Sequence, residues 1–129
     1  MDRLSEDEIT QLAKKAAELR QPFVDSQHHS AFRVFNGFYE GIDDMVADLY
    51  GATLVLFSYC KNEEDSLYFT QTMRDTFLEV MPWINCVVVK HHNANDADLR
   101  KGEITFGKNP DRLIEEHQLR YAVDLTLNQ

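Results

Sequence analysis

The stretch FRVFNGFYEGIDDMVADLYGATLVLFSY, Phe32 to Tyr59, decides the fold. It holds three apolar runs, Phe32 to Phe35, Met45 to Leu49 and Thr53 to Tyr59. Asn36-Gly37 closes the first run, and Tyr50-Gly51 divides the second from the third. Runs of this length, rich in Val, Leu, Phe and Tyr and bounded by Gly, Asn and Asp, predict strands. The Tyr50-Gly51 break predicts a tight hairpin, because glycine adopts a positive φ without steric cost. Between the first two strands, Phe38 to Asp44 reads as an acidic loop carrying two exposed aromatics, Phe38 and Tyr39. Such a loop is either a contact surface or a segment folded back on its own sheet.

Upstream, Ser5 to Gln21 predicts a helix. Ser5 followed three residues later by Glu8 is a capping box, and Glu6, Asp7 and Glu8 suit the positive end of the helix dipole. Ile9, Leu12, Ala13, Ala16 and Leu19 recur at helical spacing, and Pro22 stops the pattern. Lys14, Lys15 and Arg20 read as its solvated side rather than as an RNA-facing patch. Phe23 to Ala31 is a polar connection. Its adjacent His28 and His29 lack the further placed ligands that a metal site requires.

Downstream, Lys61 to Asp65 is a charged turn, and Asp65 or Ser66 can cap a second helix running to Met81 before Pro82. Its Phe69, Met73, Phe77 and Met81 stripe reads as core. Cys86 to Lys90, with three consecutive valines, predicts a strand buried on both faces. A helix leading into such a strand is the usual crossover to a parallel neighbour. His91, His92, Asp96 and Asp98 then form a candidate hard-metal or acid–base cluster that a small hydrolase could use. With no fixed ligand spacing, a solvated loop is the simpler reading. One helical turn is expected between Asn95 and Lys101, a strand at Glu103 to Phe106, and a turn from Gly107 to Asp111. Arg112 to Glu116 and Leu119 to Leu125 read as two arms of a hairpin across His117-Gln118. The fold class is therefore α+β: a mixed, mostly antiparallel sheet over residues 32–125, packed with two main helices at about 5–21 and 66–81.

Length and charge bound the function. The chain has 129 residues, 43% hydrophobic and 11% aromatic, which suits one ordered domain with a real core. Its 22 acidic and 13 basic residues give a formal charge of −9, which repels phosphate backbones in general but permits local basic patches. Cys60 and Cys86 have no ligand spacing and read as buried free thiols. No signal peptide or transmembrane run is present, so the expected location is the cytoplasm. No glycine-rich phosphate loop, GxSxG elbow, HExxH or zinc-type cysteine pair occurs. The residues thus nominate no catalytic, cofactor-binding or metal-ligating side chain.

Two separated pieces carry a resemblance. Phe32-Arg33-Val34-Phe35-Asn36-Gly37, followed by Glu40-Gly41 and Val46-Ala47-Asp48-Leu49-Tyr50-Gly51, resembles the middle domain of class I S-adenosylmethionine-dependent 23S rRNA methyltransferases that make 5-methylcytosine. Their pattern is approximately FRLVNGExDGLPGLxVDRYGD. The closing segment Pro110 to Leu125 looks like the family's Glu-Asn-Gly-Leu-Arg-Phe-x-Val-Asp-Leu junction. Ile42-Asp43-Asp44 replaces the family's Leu-Pro-Gly, His117-Gln118 replaces its Asn-Gly, and no RNA-binding PUA domain precedes the first helix. The resemblance implies an accessory domain, residues 1–129, ending before a Rossmann-like catalytic domain. It implies that the cofactor loop and the family's catalytic cysteines lie beyond Gln129, that S-adenosylmethionine (SAM) serves the parent enzyme, and that RNA is met through the full-length enzyme. The alternative is a stand-alone acidic α+β module for protein interaction or dimerisation, with the Phe38-Tyr39 loop or a strand edge as its contact surface.

Overall fold

A computed structural model describes residues 4–110 and the backbone of residues 113–116 and 119–122. Helix α1 spans Glu6–Arg20, and its capping box is complete, with Ser5 Oγ accepting from Glu8 N–H and Glu8 accepting from Ser5 N–H. A 3-10 turn at Gln21–Phe23 contains Pro22 and ends the helix. Ile9, Ala13, Ala16 and Ala17 are buried, whereas Leu19, expected in the apolar stripe, is 59% exposed. Arg20 also departs from the expected solvated face, because it is part-buried and pairs through both guanidinium nitrogens with the Glu40 carboxylate.

The sheet has five strands in sequence order: β1 (Ala31–Asn36), β2 (Met45–Tyr50), β3 (Thr53–Ser58), β4 (Cys86–His91) and β5 (Glu103–Phe106). Neighbours are antiparallel except β3 and β4, which run parallel from Thr53 opposite Cys86 to Ser58 opposite His91. That parallel step is made by helix α3 (Glu63–Val80), which carries the chain back along one face of the sheet. The helix begins three residues before the expected Ser66, because the Asn62 side chain caps it by accepting from Asp65 N–H. The β2–β3 turn is Gly51-Ala52, one residue later than expected, with Tyr50 opposite Thr53 and Gly51 at φ +61°. A positive φ at the first turn residue suits the twist of the flanking strands.

Because side chains alternate along a strand, the sheet has two distinct faces. Met45, Ala47, Leu49, Leu54, Leu56, Val87 and Val89 pack with Ile9, Ala13, Met73, Phe77 and Met81 of the helix layer. Each large side chain buried there stabilises the fold by roughly 1.5–3 kcal/mol. Helix α1 lies beside α3, tied by Tyr68 OH donating to Leu4 O at 3.0 Å and by the Lys14–Glu79 ion pair at 3.7 Å. The opposite face buries a smaller group, Val55, Cys86 and Val88, beside Tyr50 and Phe57. The α+β class, with its mixed sheet and two long helices, is thus as the sequence predicts.

Three short elements complete the description. The expected acidic loop after β1 contains a one-turn helix, α2 (Gly37–Glu40), capped by the Asn36 side chain and closed by Gly41 at φ +100°. Its Ile42, expected in the loop, is buried. Helix α4 (Ala97–Lys101) is the turn anticipated before β5. Strands β6 (Leu113–Glu116) and β7 (Leu119–Ala122) pair antiparallel in a second, two-stranded sheet, as a hairpin should. The turn pair His117-Gln118 and the stretch 123–129 lie outside the described residues.

Gly37 sits where no side chain fits: an added Cβ would lie 1.9 Å from Ile42 O and 2.2 Å from Met45 O. Both neighbours are backbone, so the clash cannot be relieved by a rotamer change. Gly37→Ala is expected to cost about 2–4 kcal/mol, read as a lowered urea midpoint at unchanged slope. A midpoint matching that of the wild type would show that the β1–β2 connection is pliable.

Candidate functional site

The histidine–aspartate cluster suggested by the sequence is taken apart by strand geometry. His91 is the last residue of β4 and is buried toward the helix layer, while His92, one residue on, is exposed on the other side. Asp96 is spent as the cap of α4, accepting from Asp98 N–H at 2.8 Å. Among the described residues, no group of three or more His, Cys, Asp and Glu could hold a metal ion. His28 and His29 are also separated in role. His28 stacks on Trp83 at 3.9 Å between ring centroids, at φ +54°, and His29 N–H donates to the Asp25 carboxylate. Burial works against charge on Asp25, but hydrogen bonds from His29 N–H, Ser30 Oγ and Ser30 N–H carry its pKa down to about 2. The network organises the connection from the 3-10 turn into β1.

Two depressions flank the end of β4. The first, about 470 Å³, opens on the helix side between α3, α4 and β5, with Cys60, Glu63, Ser66, His91, Asp96 and Glu103 among its walls. Its inner wall is a polar chain: Ser66 Oγ is 2.6 Å from Ser58 Oγ and 2.7 Å from His91 Nδ1. Cys60 N–H adds a contact to Ser58 Oγ at 3.4 Å. Whichever way the hydroxyl protons run, neutral imidazole satisfies this chain. Burial pushes the His91 pKa below the ordinary histidine value, against the opposing pull of Glu103 and Glu63. Burial likewise pushes the Cys60 thiol up, so it is held as the unreactive thiol. Both cysteines are free and buried, as their lack of ligand spacing suggested. Sequence spacing gave no sign of the Ser58–Ser66–His91 chain, since its three members come from three elements.

The second depression, about 500 Å³, lies on the opposite face of the sheet. Arg33, Asp48, Tyr50, Phe57, Tyr59, Lys90, His92 and Arg100 line it. Register explains the gathering: Arg33 stands opposite Asp48 across β1–β2, and Phe57 opposite Lys90 across β3–β4. Arg33 grips Asp48 with Nε at 2.8 Å and Nη2 at 3.3 Å, a bidentate pair. The bond to Asp48 raises the already high pKa of Arg33, and burial, then the Asp48 charge, push the Tyr50 phenol up. Lys90 Nζ lies 5.7 Å from the centroid of the Phe57 ring, within cation–π range. The Tyr59 and His92 rings meet at 5.0 Å, and Arg100 is fixed at the rim by donating to the carbonyls of Ala94 and Asn95. Phe38 and Tyr39 are elsewhere, on α2, in edge-to-face contact with one another and 76% and 80% exposed.

No family model and no curated protein matches the chain. Solved structures do share its fold. One, described as a candidate SAM-dependent methyltransferase from Streptococcus mutans, superposes with a TM-score of 0.72 at 21% identity. Another, described as a candidate methyltransferase in complex with SAH, gives 0.73 at 21% identity. In both cases all of this chain is covered, against 32% of the other. The chain thus has a fold found within methyltransferase structures and spans about a third of their length. Among its described residues no helix is long and apolar enough to cross a membrane.

The His91 chain makes stability depend on pH. Its pKa is lower folded than unfolded, so the unfolded state takes up the proton first. The contribution is complete above the unfolded value of about 6.5 and is lost as pH falls through the lower folded value. The urea midpoint of the wild type is expected to fall between pH 7.5 and 5.5. His91→Gln, which keeps a polar partner for Ser66, should remove part of that fall. Equal pH dependence in both proteins would show that His91 titrates alike folded and unfolded.

Proposed function

We propose that this chain is the non-catalytic accessory domain of a SAM-dependent methyltransferase, packing on a catalytic domain and helping to position substrate. The observation that carries the reading is the match of the whole chain to about a third of structures described as methyltransferases. The two sequence pieces around Phe32–Gly51 and Pro110–Leu125 support the finer assignment, to an enzyme that methylates cytosine C5 in ribosomal RNA in the cytoplasm. In this reading SAM is bound by the catalytic domain, and residues 1–129 contribute neither catalytic nor cofactor-binding side chains. The domain's contribution is geometric: a rigid wall for the substrate cleft, which lowers the cost of orienting a large RNA.

A second reading, a protein-interaction or dimerisation module, is favoured by one observation. Leu19, Phe23, Phe38 and Tyr39 are large apolar residues left 59%, 65%, 76% and 80% exposed. Scattered exposed apolar residues are ordinary on soluble proteins, so this reading carries less.

Calorimetry with SAH (S-adenosylhomocysteine) tests the first reading. The protein made from the native reading frame read past Gln129 is expected to bind SAH, while residues 1–129 alone give no heat. SAH binding by residues 1–129, or a stop codon directly after Gln129, overturns it.

A further inference from the structure

We propose that the helix-side depression between α3, α4 and β5 is a binding site for a primary alkylammonium group. Glu63 and Glu103 are its counter-ions, His91 Nε2 is its hydrogen-bond acceptor, and Leu67 and Leu99 lie along its methylene chain. The inference goes beyond the methyltransferase reading and takes nothing from it.

The place follows from how the helix layer covers the sheet. Helix α1 packs on β1, and α3 packs on β3 and β4. With helices about 10 Å across and strands about 4.8 Å apart, two helices cover about four strands. The helix side of β5 is therefore left as a strip beside α3. Two depressions occupy it, the one of about 470 Å³ described above and a smaller one of about 360 Å³. They share Leu67, His91 and Glu103, so they form one groove with His91 at the join. The larger part has the volume of a small-molecule site.

Two independent observations give the groove its chemistry. The first is charge: Glu63, Asp96 and Glu103 stand against Lys61 in the walls of the larger depression. Asp96 is spent on capping α4. Glu63 and Glu103 are exposed and have no hydrogen bond or ion pair among the described residues. The second is the His91 ring. The residue is 7% exposed and its Nδ1 is held by Ser66, whereas Nε2 has no partner among the described residues. Nor is Nε2 sealed in, because the buried side-chain atoms left without a partner among those residues are His28 Nδ1 and Thr105 Oγ1. Nε2 thus meets the open space of the groove that the ring lines. Burial favours the neutral imidazole, which can accept a bond, and both carboxylates act on this ring through their charge.

A bound cation completes the proton count. When Nε2 accepts from an ammonium, the ring proton sits on Nδ1 and donates to Ser66 Oγ, whose own hydroxyl donates to Ser58 Oγ at 2.6 Å. Each proton is then used once. A metal ion does not fit, since no group of three or more His, Cys, Asp and Glu among the described residues could hold one. An ammonium asks for less: its three N–H donors need one neutral nitrogen and two carboxylates. Leu67, 45% exposed, and Leu99 supply the apolar wall that a methylene chain requires. Lys61 opposes a second positive charge and keeps the affinity modest.

The test is an NMR titration of residues 1–129 carrying ¹⁵N-labelled histidine, with putrescine, Nα-acetyl-lysinamide and butyrate as probes. Both amines are expected to shift His91 Nε2 saturably, with a Kd of about 1 mM for a few weak contacts in a half-open site. Butyrate is expected to leave it in place. Glu103→Gln should weaken amine binding about fivefold, the loss of one exposed charge pair at the upper end of its range. Glu79→Gln, which removes a charge on α3 that pairs with Lys14 instead, should leave the affinity as it was. Thermal melts confirm that both variants fold. Tighter binding of putrescine names a free polyamine as the ligand, and tighter binding of Nα-acetyl-lysinamide names a lysine side chain of a partner protein; either order supports the site. No saturable shift, an equal response to butyrate, wild-type affinity in folded Glu103→Gln, or equal weakening by Glu79→Gln overturns the proposal, the last by showing mere attraction to net charge. SAH binding is read separately, so this site can fail while the methyltransferase reading stands.

Discussion

The parallel register of β3 and β4 is the constraint on which the rest of the structure depends. Two adjacent strands can run parallel only if the chain returns from the end of one to the start of the other, and here α3 makes that return. The crossover is fastened at both ends. Near its start, Ser66 in α3 bonds Ser58 of β3 and His91 of β4, joining three elements within a few ångströms. Near its end, Asn85 N–H donates to Ala52 O at 3.0 Å, setting the start of β4 beside the β2–β3 turn. With the register fixed, the period-two pattern sends Val87 and Val89 to the helices and Cys86, Val88 and Lys90 to the other face. A slip of one residue would put Lys90 under α3 and send Val87 and Val89 to the other face.

What could be read from sequence divides along the range of the interactions involved. Strands β2 to β5 and helix α1 are specified locally, by alternation, by the Ser5–Glu8 capping box and by the Val87–Val89 run. Their existence and the parallel crossover were therefore legible. The misplacements have specific causes. Asn62 caps α3 from within a charged turn where Asp65 and Ser66 offered equally good chemistry, so local rules could not choose among them. Helix α2 is only one turn long and exists because Gly37 packs against the carbonyls of Ile42 and Met45, a contact invisible in the string. Arg20 departs from the solvated face because Glu40, twenty residues on, meets it once β1 and α2 are in place.

The sites were less legible than the fold, for the same reason. His91 and His92 look like a pair in the sequence, yet a strand sends neighbours to opposite faces, so each joins a different depression. The groups that do meet, Arg33, Asp48, Tyr59, Lys90 and Arg100, are spread over almost seventy positions with no spacing to mark them. Net charge hides them as well. A total of −9 is a sum over the surface, and a sum cannot show where its charges lie.

Where the anions sit gives that charge a consequence. Glu6, Asp7 and Glu8 crowd the first turn of α1, and Glu63, Glu64 and Asp65 crowd the first turn of α3. Both helices lie on the face away from Arg33, Lys90 and Arg100, separated from them by the sheet. A helix layer is about 10 Å thick, and the Debye length at 0.1 M salt is also about 10 Å. Acids beyond the helix layer are therefore largely screened at the cationic face, whereas a phosphate approaching the helices meets them directly. The acids that open α1 and α3 and the cations that line the second depression thus lie on opposite sides of the sheet.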